Sequence, residues 1–264
     1  MLNNNPFSLL AETVSPLAMQ SFIIAMVLLI AIGTIIQMIH HKNLTYFFNN
    51  AKKAKLAATK KLGVGEKVSV IAKTTVVDIG TTSELGFGKR RLAHVLGMYG
   101  TILFWVSSAI LVFCYTGADK PNSQTWSIIW HVGAILTCLG GYWFWFFLRV
   151  DVLAEAYPWY RIIQADLFVL SLVVTSTLAI CWSFSQSLNL VILETLFFVL
   201  FCLSNLILFG SVYWSKFAHM FYKPGAAIQR KLSEADGSRD NLPEPSDQPK
   251  KFGLGIKREA PKHY

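Results

Sequence analysis

The chain is short of charge and lacks the motifs by which soluble enzymes hold phosphate groups or catalytic zinc. Lys, Arg, Asp and Glu make up 15% of its 264 residues, whereas soluble domains usually contain roughly 25%. It has no phosphate-cradling glycine loop, no G-x-S-x-G elbow and no His-Glu-x-x-His pair. Its four cysteines lie inside apolar runs without any C-x-x-C spacing, which argues against an iron–sulfur site or a disulfide framework.

The N-terminus lacks the features of a cleavable signal peptide. Residues 1–17 contain no Lys or Arg and so offer no basic n-region, and the apolar run that follows is too long for an h-region. We therefore expect residues 1–17 to form a short extracytoplasmic segment.

Apolar sequence is abundant and is gathered in long blocks. Hydrophobic residues make up 53% of the chain, and the mean hydropathy is +0.45. A helix needs about 20 residues to cross a bilayer core, and five blocks reach that length. They predict an all-α integral membrane protein with transmembrane helices at residues 18–39, 94–115, 126–150, 160–184 and 190–214. The fifth is expected to continue as helix until Pro224, because proline lacks the N–H that a helix interior requires.

The positive charges predict the orientation. With the N-terminus outside and the C-terminus cytoplasmic, all of the 24 Lys and Arg residues except Lys120 lie on the inner side. Most of them fall in a basic cytoplasmic loop over residues 40–93 and in a cytoplasmic tail over residues 215–264. We expect a multi-pass protein of the cytoplasmic (inner) membrane. The net charge of +9 then sets topology, so no nucleic acid partner is expected.

The loop and the tail each carry a further prediction. Residues 51–61 combine lysines with strong helix formers, and we expect them to lie along anionic membrane lipids. Residues 67–78 are rich in β-branched side chains and predict a short hairpin or a partner-binding strand. From about residue 233 the tail turns polar and proline-rich, which predicts disorder or, alternatively, a docking arm for a soluble partner.

Histidine placement is the main indication of chemistry. A b-type haem in a helical bundle needs two imidazoles from different helices at matching depth. His94 and His219, near the inner face, are one candidate pair. At a rise of about 1.5 Å per residue, His94 lies about 16 Å from the midpoint of its helix and His219 about 25 Å. His40 matches the depth of His94 better, so His40 or His41 is an alternative ligand. Each of these histidines could instead be interfacial and meet lipid headgroups.

Two ionisable residues lie inside predicted helices at a similar depth. His131 and Glu194 each stand about five residues inside the outer end of their helices. Such groups are costly in a membrane and are usually paired or functional. They could hydrogen-bond to one another, or bind and deprotonate a quinone. Near the inner face, Asp166 is expected to pair with Arg149 or Arg161.

Four stretches carry a resemblance to a known family. They are GKRRLAHVLG at 88–97, RIIQADLF at 161–168, WSKFAHMFYKP at 214–224 and EADGSRDNLP at 234–243. Over most of residues 18–224 the chain resembles the five-helix cytochrome b-type anchors related to the nitrate reductase gamma subunit and to heterodisulfide reductase. More narrowly, it is similar to the membrane anchors of dissimilatory adenylylsulfate reductase.

The resemblance implies haem ligands on the second and fifth helices, with His94 and His219 at the inner positions. The outer positions fall near Phe104 and Phe201, which cannot ligate iron, so at most one haem b is implied. It also implies quinone as a substrate and a cytoplasmic iron–sulfur/flavin redox enzyme, adenylylsulfate reductase, as the partner. The chain itself would be a non-catalytic or quinone-reactive electron-transfer subunit. A haem-free structural anchor with a docking surface and a small transporter remain alternatives.

Overall fold

The structure is a computed structural model that describes residues 2–40, 42–85, 88–117, 120–151 and 156–238. Helix makes up 78% of the structure, and no strand occurs in these ranges. Five helices within them are long and apolar enough to cross a membrane, as predicted. The chain is therefore an all-α, multi-pass membrane protein.

The described residues contain nine α-helices. In chain order they are α1 (Pro6–Leu10), α2 (Pro16–His40), α3 (Asn43–Ala57), α4 (Val64–Lys73), α5 (Lys89–Cys114), α6 (Gln124–Trp143), α7 (Leu167–Ser187), α8 (Val191–Gly210) and α9 (His219–Ala235). Helices α2, α5, α6, α7 and α8 are the five spans. A π-helical turn, Phe144–Leu148, extends α6, and a 3₁₀ turn, Gln164–Asp166, leads into α7.

The chain divides into two compact units. The first, which we call the bundle unit, runs from the N-terminus to Ile36 and from Leu92 to Ala218. It contains α1, α6, α7, α8 and nearly all of α2 and α5. The second, the loop unit, comprises Gln37–Arg91 and the chain from His219 onward. It contains α3, α4 and α9.

Within the bundle unit, α5 and α6 approach each other almost backbone to backbone. A Cβ atom on Gly100 would lie 2.5 Å from the backbone nitrogen of Thr137, and one on Gly133 would lie 2.5 Å from the backbone nitrogen of Phe104. Only glycine therefore fits at these two positions. Small residues bring membrane helices close together because lipid offers no hydrophobic drive to associate them. Helix α7 packs in turn against both α6 and α8.

The N-terminal segment is a packed cap on one end of the bundle unit. Asn5 caps α1 by accepting the N–H of Phe7 at 3.0 Å, and Pro6 follows at the first helical position, where its missing N–H costs nothing. The Asn5 side-chain amide donates to the carbonyl of Tyr115 at 3.0 Å. The ring of Phe7 packs edge-on against Trp130 and Trp182, with centroid separations of 5.9 and 5.5 Å.

In the loop unit, α9 packs against α3, α4 and the π-helical turn Thr74–Ile79 that follows α4. The buried side chains are small, with Ala54 of α3 1% exposed and Thr74 2% exposed. The backbone N–H groups of Thr59 and Lys60 both donate to the carbonyl of Asp236, at 3.0 Å each. These two bonds attach the end of α9 to the α3–α4 connection.

The predicted hairpin or strand at residues 67–78 is wrong, because this segment is helical in α4 and the π-helical turn after it. A carboxylate near the helix start explains the difference. Glu66 accepts the N–H of Gly63 at 3.0 Å, which satisfies a donor that a helix N-terminus leaves unpaired. Lys60 forms an ion pair with Glu66 at 2.7 Å. Strand propensity is a weak, context-dependent preference, and this cap together with packing on α9 outweighs it.

The fifth span also ends earlier than predicted. Helix α8 stops at Gly210, and residues 211–215 form turns in which the Ser215 hydroxyl accepts the N–H of Phe217 at 3.2 Å. Serine side chains that bond to the backbone in this way compete with helix continuation. Pro224 instead lies inside α9, which continues to Ala235, past residue 233 where disorder was expected to begin. Residues 239–264 lie outside the described residues.

Candidate functional site

An apolar cavity of about 400 Å³ lies among α2, α5 and α8 of the bundle unit. The cap helix α1 contributes Phe7 and Leu10 to its wall. Aliphatic, aromatic and methionine side chains make up most of the remaining lining. The side chains with polar atoms or sulfur besides methionine are Trp105, Ser108, Cys202 and Asn205. The size and lining suit a flat or chain-like apolar ligand rather than a charged one.

Phe104 and Phe201 both line this cavity and are both buried. Phe104 packs against Trp130 with a centroid separation of 5.2 Å, and Phe201 stacks on Trp182 at 5.7 Å and an angle of 24°. These are the positions at which the resemblance places outer haem ligands. Both positions instead carry phenylalanine rings that pack in the cavity wall. Phenylalanine cannot ligate iron, so these residues do not fit an outer haem.

Trp105 presents the most unusual polar atom in the cavity wall. Its indole Nε1 is buried without a hydrogen-bond partner. The ring is held in place by Phe217, which stacks on it at 5.8 Å and 12°, and by Phe209 at 5.3 Å. A buried N–H without an acceptor costs about 1–3 kcal/mol, so a ligand whose acceptor met this atom would gain.

Two other polar side chains of the wall are engaged within the protein. The Asn205 amide, 7% exposed, donates one N–H to the carbonyl of Phe201 at 2.8 Å and keeps a second N–H. The Ser108 hydroxyl donates to the carbonyl of Phe104 at 2.7 Å and accepts the indole N–H of Trp130 at 2.9 Å. Asn205 is therefore the second donor that could serve a ligand.

His131 bridges two spans and is completely buried. Its Nδ1 lies 2.7 Å from the carbonyl oxygen of Ser127, and its Nε2 lies 2.7 Å from the hydroxyl oxygen of Ser183. A carbonyl can only accept, so Nδ1 carries the proton. In the neutral ring Nε2 then accepts the hydroxyl proton of Ser183. Both ring nitrogens are engaged, and His131 does not line the cavity.

Glu194 takes part in a separate contact at the capped end of the bundle unit. The Gln186 amide donates to Glu194 Oε1 at 3.1 Å and to the carbonyl of Pro6 at 3.2 Å. Gln186 thus joins α7 and α8 to the cap. The hydrogen bonds of His131 and Glu194 therefore run to different partners.

Asp166 pairs with Arg149, which resolves the alternative that the sequence left open. Arg149 is completely buried and also donates to the carbonyls of Pro158 and Arg161. Its guanidinium lies over the ring of Trp145, 4.3 Å from the centroid. This buried arginine therefore joins the end of α6 to Pro158, Arg161 and Asp166 before α7.

The histidines predicted to hold haem divide between the two units. His94 is exposed on the second turn of α5, in the bundle unit, while His40 at the end of α2 and His219 at the start of α9 belong to the loop unit. His41 lies outside the described residues. Histidine imidazoles are common ligands of haem iron. Ligation by His94 with His219, or with His40, stays a prediction.

Sequence reasoning missed Trp105, Asn205 and Phe7 as site residues. Asn205 carried a usable signal, because an amide in the middle of an apolar span is costly without a role. Trp105 carried none, since nothing in the sequence distinguishes it from the other tryptophans. Phe7 belongs to a five-residue helix whose position depends on contacts with α6 and α7.

Comparison of the chain with models of known families, with curated proteins and with solved structures finds no match. Among the described residues, no group of three or more His, Cys, Asp or Glu side chains is arranged to hold a metal ion. The functional argument therefore depends on the cavity, on the charges and on the chemistry of individual side chains.

Proposed function

We propose that this chain is a membrane anchor that binds quinone between its helices and links a cytoplasmic redox enzyme to the quinone pool. The observation that carries the proposal is the apolar cavity among α2, α5 and α8, with the unpartnered indole N–H of Trp105 in its wall.

Quinone chemistry matches this cavity. A quinone has a flat apolar ring, a prenyl chain, and two carbonyl oxygens that only accept hydrogen bonds. Ligand pockets of roughly 300–1,000 Å³ with apolar walls and a few polar groups are the usual form of small-molecule sites. We assign Trp105 Nε1 and the second N–H of Asn205, on two residues of the wall, as the donors to the two carbonyls. In turnover the bound ring would exchange two electrons and two protons between its quinone and quinol forms.

The partner and the topology complete the proposal. In the orientation that keeps the positive charges inside, residues 40–93 and the tail would lie on the cytoplasmic side of the inner membrane. These segments would dock an iron–sulfur/flavin enzyme, which by resemblance is adenylylsulfate reductase. One haem b, held by His94 with His219 or His40, would supply an electron carrier between that enzyme and the quinone.

Photolabelling with an azidoquinone tests the quinone site. The full chain in nanodiscs should be labelled on cavity-lining peptides of α2 or α8, and excess quinone should suppress the label. Trp105→Phe removes the N–H but keeps the ring, and should weaken binding by about 2- to 10-fold, the equivalent of one hydrogen bond. Because that N–H has no partner in the protein, its loss should not lower the denaturant concentration at which the variant unfolds.

Trp182→Phe is the matched control. The indole N–H of Trp182 is also buried without a partner, but this residue does not line the cavity. The variant should therefore label as the parent does. Equal labelling of Trp105→Phe and the parent, or label spread evenly over lipid-facing helices, would contradict the site.

A reduced-minus-oxidised spectrum and co-purification test the remaining parts. A haem b signal that His94→Ala abolishes supports one inner haem, whereas a haem-free chain that still co-purifies a soluble redox enzyme supports the structural-anchor version. A chain that retains no redox enzyme and transports a solute into liposomes would contradict the anchor function itself.

A further inference from the structure

The loop unit carries most of the positive charge of the protein. Residues 37–91 contain eleven Lys and Arg residues against three Asp and Glu residues, a net charge of +8, compared with +9 for the whole chain. Lysines concentrate on α3, where Lys52, Lys53 and Lys55 are exposed. A segment of this charge attracts an anionic surface.

Helix α4 presents an apolar stripe that stays exposed among the described residues of the loop unit. Val64, Val68 and Ile71 follow the i, i+4, i+7 spacing of one helix face, and they are 82%, 59% and 38% exposed. No residue of α4 is fully buried; Val70 is half-buried, and Thr74, directly after the helix, is buried. Three aliphatic residues of the helix therefore lie exposed along one face.

A lysine stands beside this stripe, as in an interfacial helix. Lys67 is exposed one turn from Val64 and Ile71, on the edge of the stripe. The single acidic residue of the helix, Glu66, is neutralised by its ion pair with Lys60. Lysines can extend their charged ends to phosphate groups while aliphatic neighbours enter the acyl boundary.

We propose that α4 is an interfacial membrane helix whose stripe of Val64, Val68 and Ile71 inserts into the headgroup boundary of an anionic bilayer. The chain itself favours lipid over a protein as the occupant, because the spans α2 and α5 flank residues 41–88 in sequence. Both ends of the segment are thereby held at a membrane, and its effective concentration there is high. A redox enzyme would then dock on the tail and on the other parts of residues 40–93, away from this stripe.

Spin-label accessibility in nanodiscs tests the proposal. A label at Val68→Cys, in a chain whose native cysteines are replaced by serine, reports the stripe, and a label at Ser69→Cys reports the neighbouring exposed face of the same helix. In phosphatidylcholine nanodiscs that contain phosphatidylglycerol, the Val68 label should favour collisions with oxygen and the Ser69 label should favour a water-soluble nickel complex. Removal of the phosphatidylglycerol should reduce the difference.

Equal access of both labels to the nickel complex in anionic nanodiscs would overturn the proposal. Burial of the Val68 label only when a soluble partner protein is added would do the same and would make the stripe a protein-docking surface. Hydrogen exchange of the unmodified chain provides the check that avoids cysteine replacement. The α4 amides should exchange several-fold more slowly with phosphatidylglycerol than without it, and unchanged exchange counts against insertion.

Discussion

The hydrogen bond between His131 and Ser183 allows a quantitative prediction about the stability of the bundle unit. Ser183→Ala removes the donor that Nε2 of His131 accepts, while the Nδ1 contact with Ser127 remains. His131 is 0% exposed and Ser183 is 4% exposed. The change therefore leaves a buried lone pair that water cannot reach from bulk solvent.

The size of the effect follows from that burial. An unsatisfied buried acceptor costs about 1–3 kcal/mol in soluble proteins, while measured side-chain hydrogen bonds between membrane helices average about 0.6 and reach about 1.7 kcal/mol. We expect Ser183→Ala to cost about 1 kcal/mol of unfolding free energy, roughly a fivefold change in the equilibrium constant. Ser187→Ala, an exposed serine at the end of the same helix, should cost less than half of that.

A double-mutant cycle isolates the pair. Reversible unfolding in mixed micelles is measured for the parent, Ser183→Ala, His131→Leu and the double variant, and the coupling energy should be about 0.6–1.7 kcal/mol. A coupling energy of zero would refute the bridge between α6 and α7. Unchanged stability together with lost quinone labelling would assign His131 to quinone binding, the alternative that the sequence also allowed.

Three further predictions concern other parts of the molecule. Gly133→Ala should cost about 1–3 kcal/mol in the same unfolding assay because its Cβ would meet the backbone of Phe104, whereas Gly210→Ala, with nothing within 4 Å, should be near neutral. Arg149→Met should cost about 3–5 kcal/mol by leaving Asp166 buried without its partner, and adding Asp166→Asn should recover part of the loss. The hydrogen bond from Lys60, then the N–H of Gly63 and the charge of Lys60, hold the pKa of Glu66 below its ordinary value of 4.5. The folded state thus binds this proton less tightly than the unfolded state, so its stabilisation of α4 is full above pH 4.5 and is lost as the pH falls below it. Hydrogen exchange of the α4 amides, corrected for intrinsic rates, should show this loss in the parent and not in Glu66→Gln.

The spans could be predicted from the sequence because a single physical quantity, apolar length, determines them. Each of the five blocks exceeds the thickness of a bilayer core, and the helices fall within a few residues of the predicted bounds. The strand predicted at residues 67–78 failed for a different reason. Its β-branched residues express a weak propensity, while the Glu66 cap and the packing on α9 are interactions between residues that a local pattern does not contain.

The candidate site could be predicted only in part, for a related reason. A cavity is the space left by α2, α5 and α8 together, so no single stretch of sequence encodes it. Phe104 and Phe201 were singled out as positions that cannot hold haem, yet their role as cavity walls becomes visible only when their rings pack on Trp130 and Trp182. The pairing of Asp166 with Arg149 could be anticipated, because buried charges in a membrane require partners.

The cap formed by α1 sets an order of events during synthesis. Asn5 and Phe7 leave the ribosome first, but the groups that receive them, the carbonyl of Tyr115 and the rings of Trp130 and Trp182, are made more than a hundred residues later. Until α7 has entered the membrane, the first helix lacks Trp182 and the contacts of Gln186, so its binding place is incomplete. Docking of the N-terminus is therefore a late step of assembly that reports completion of the fourth span, and a nascent chain arrested before Trp182 should expose its first residues to an added protease.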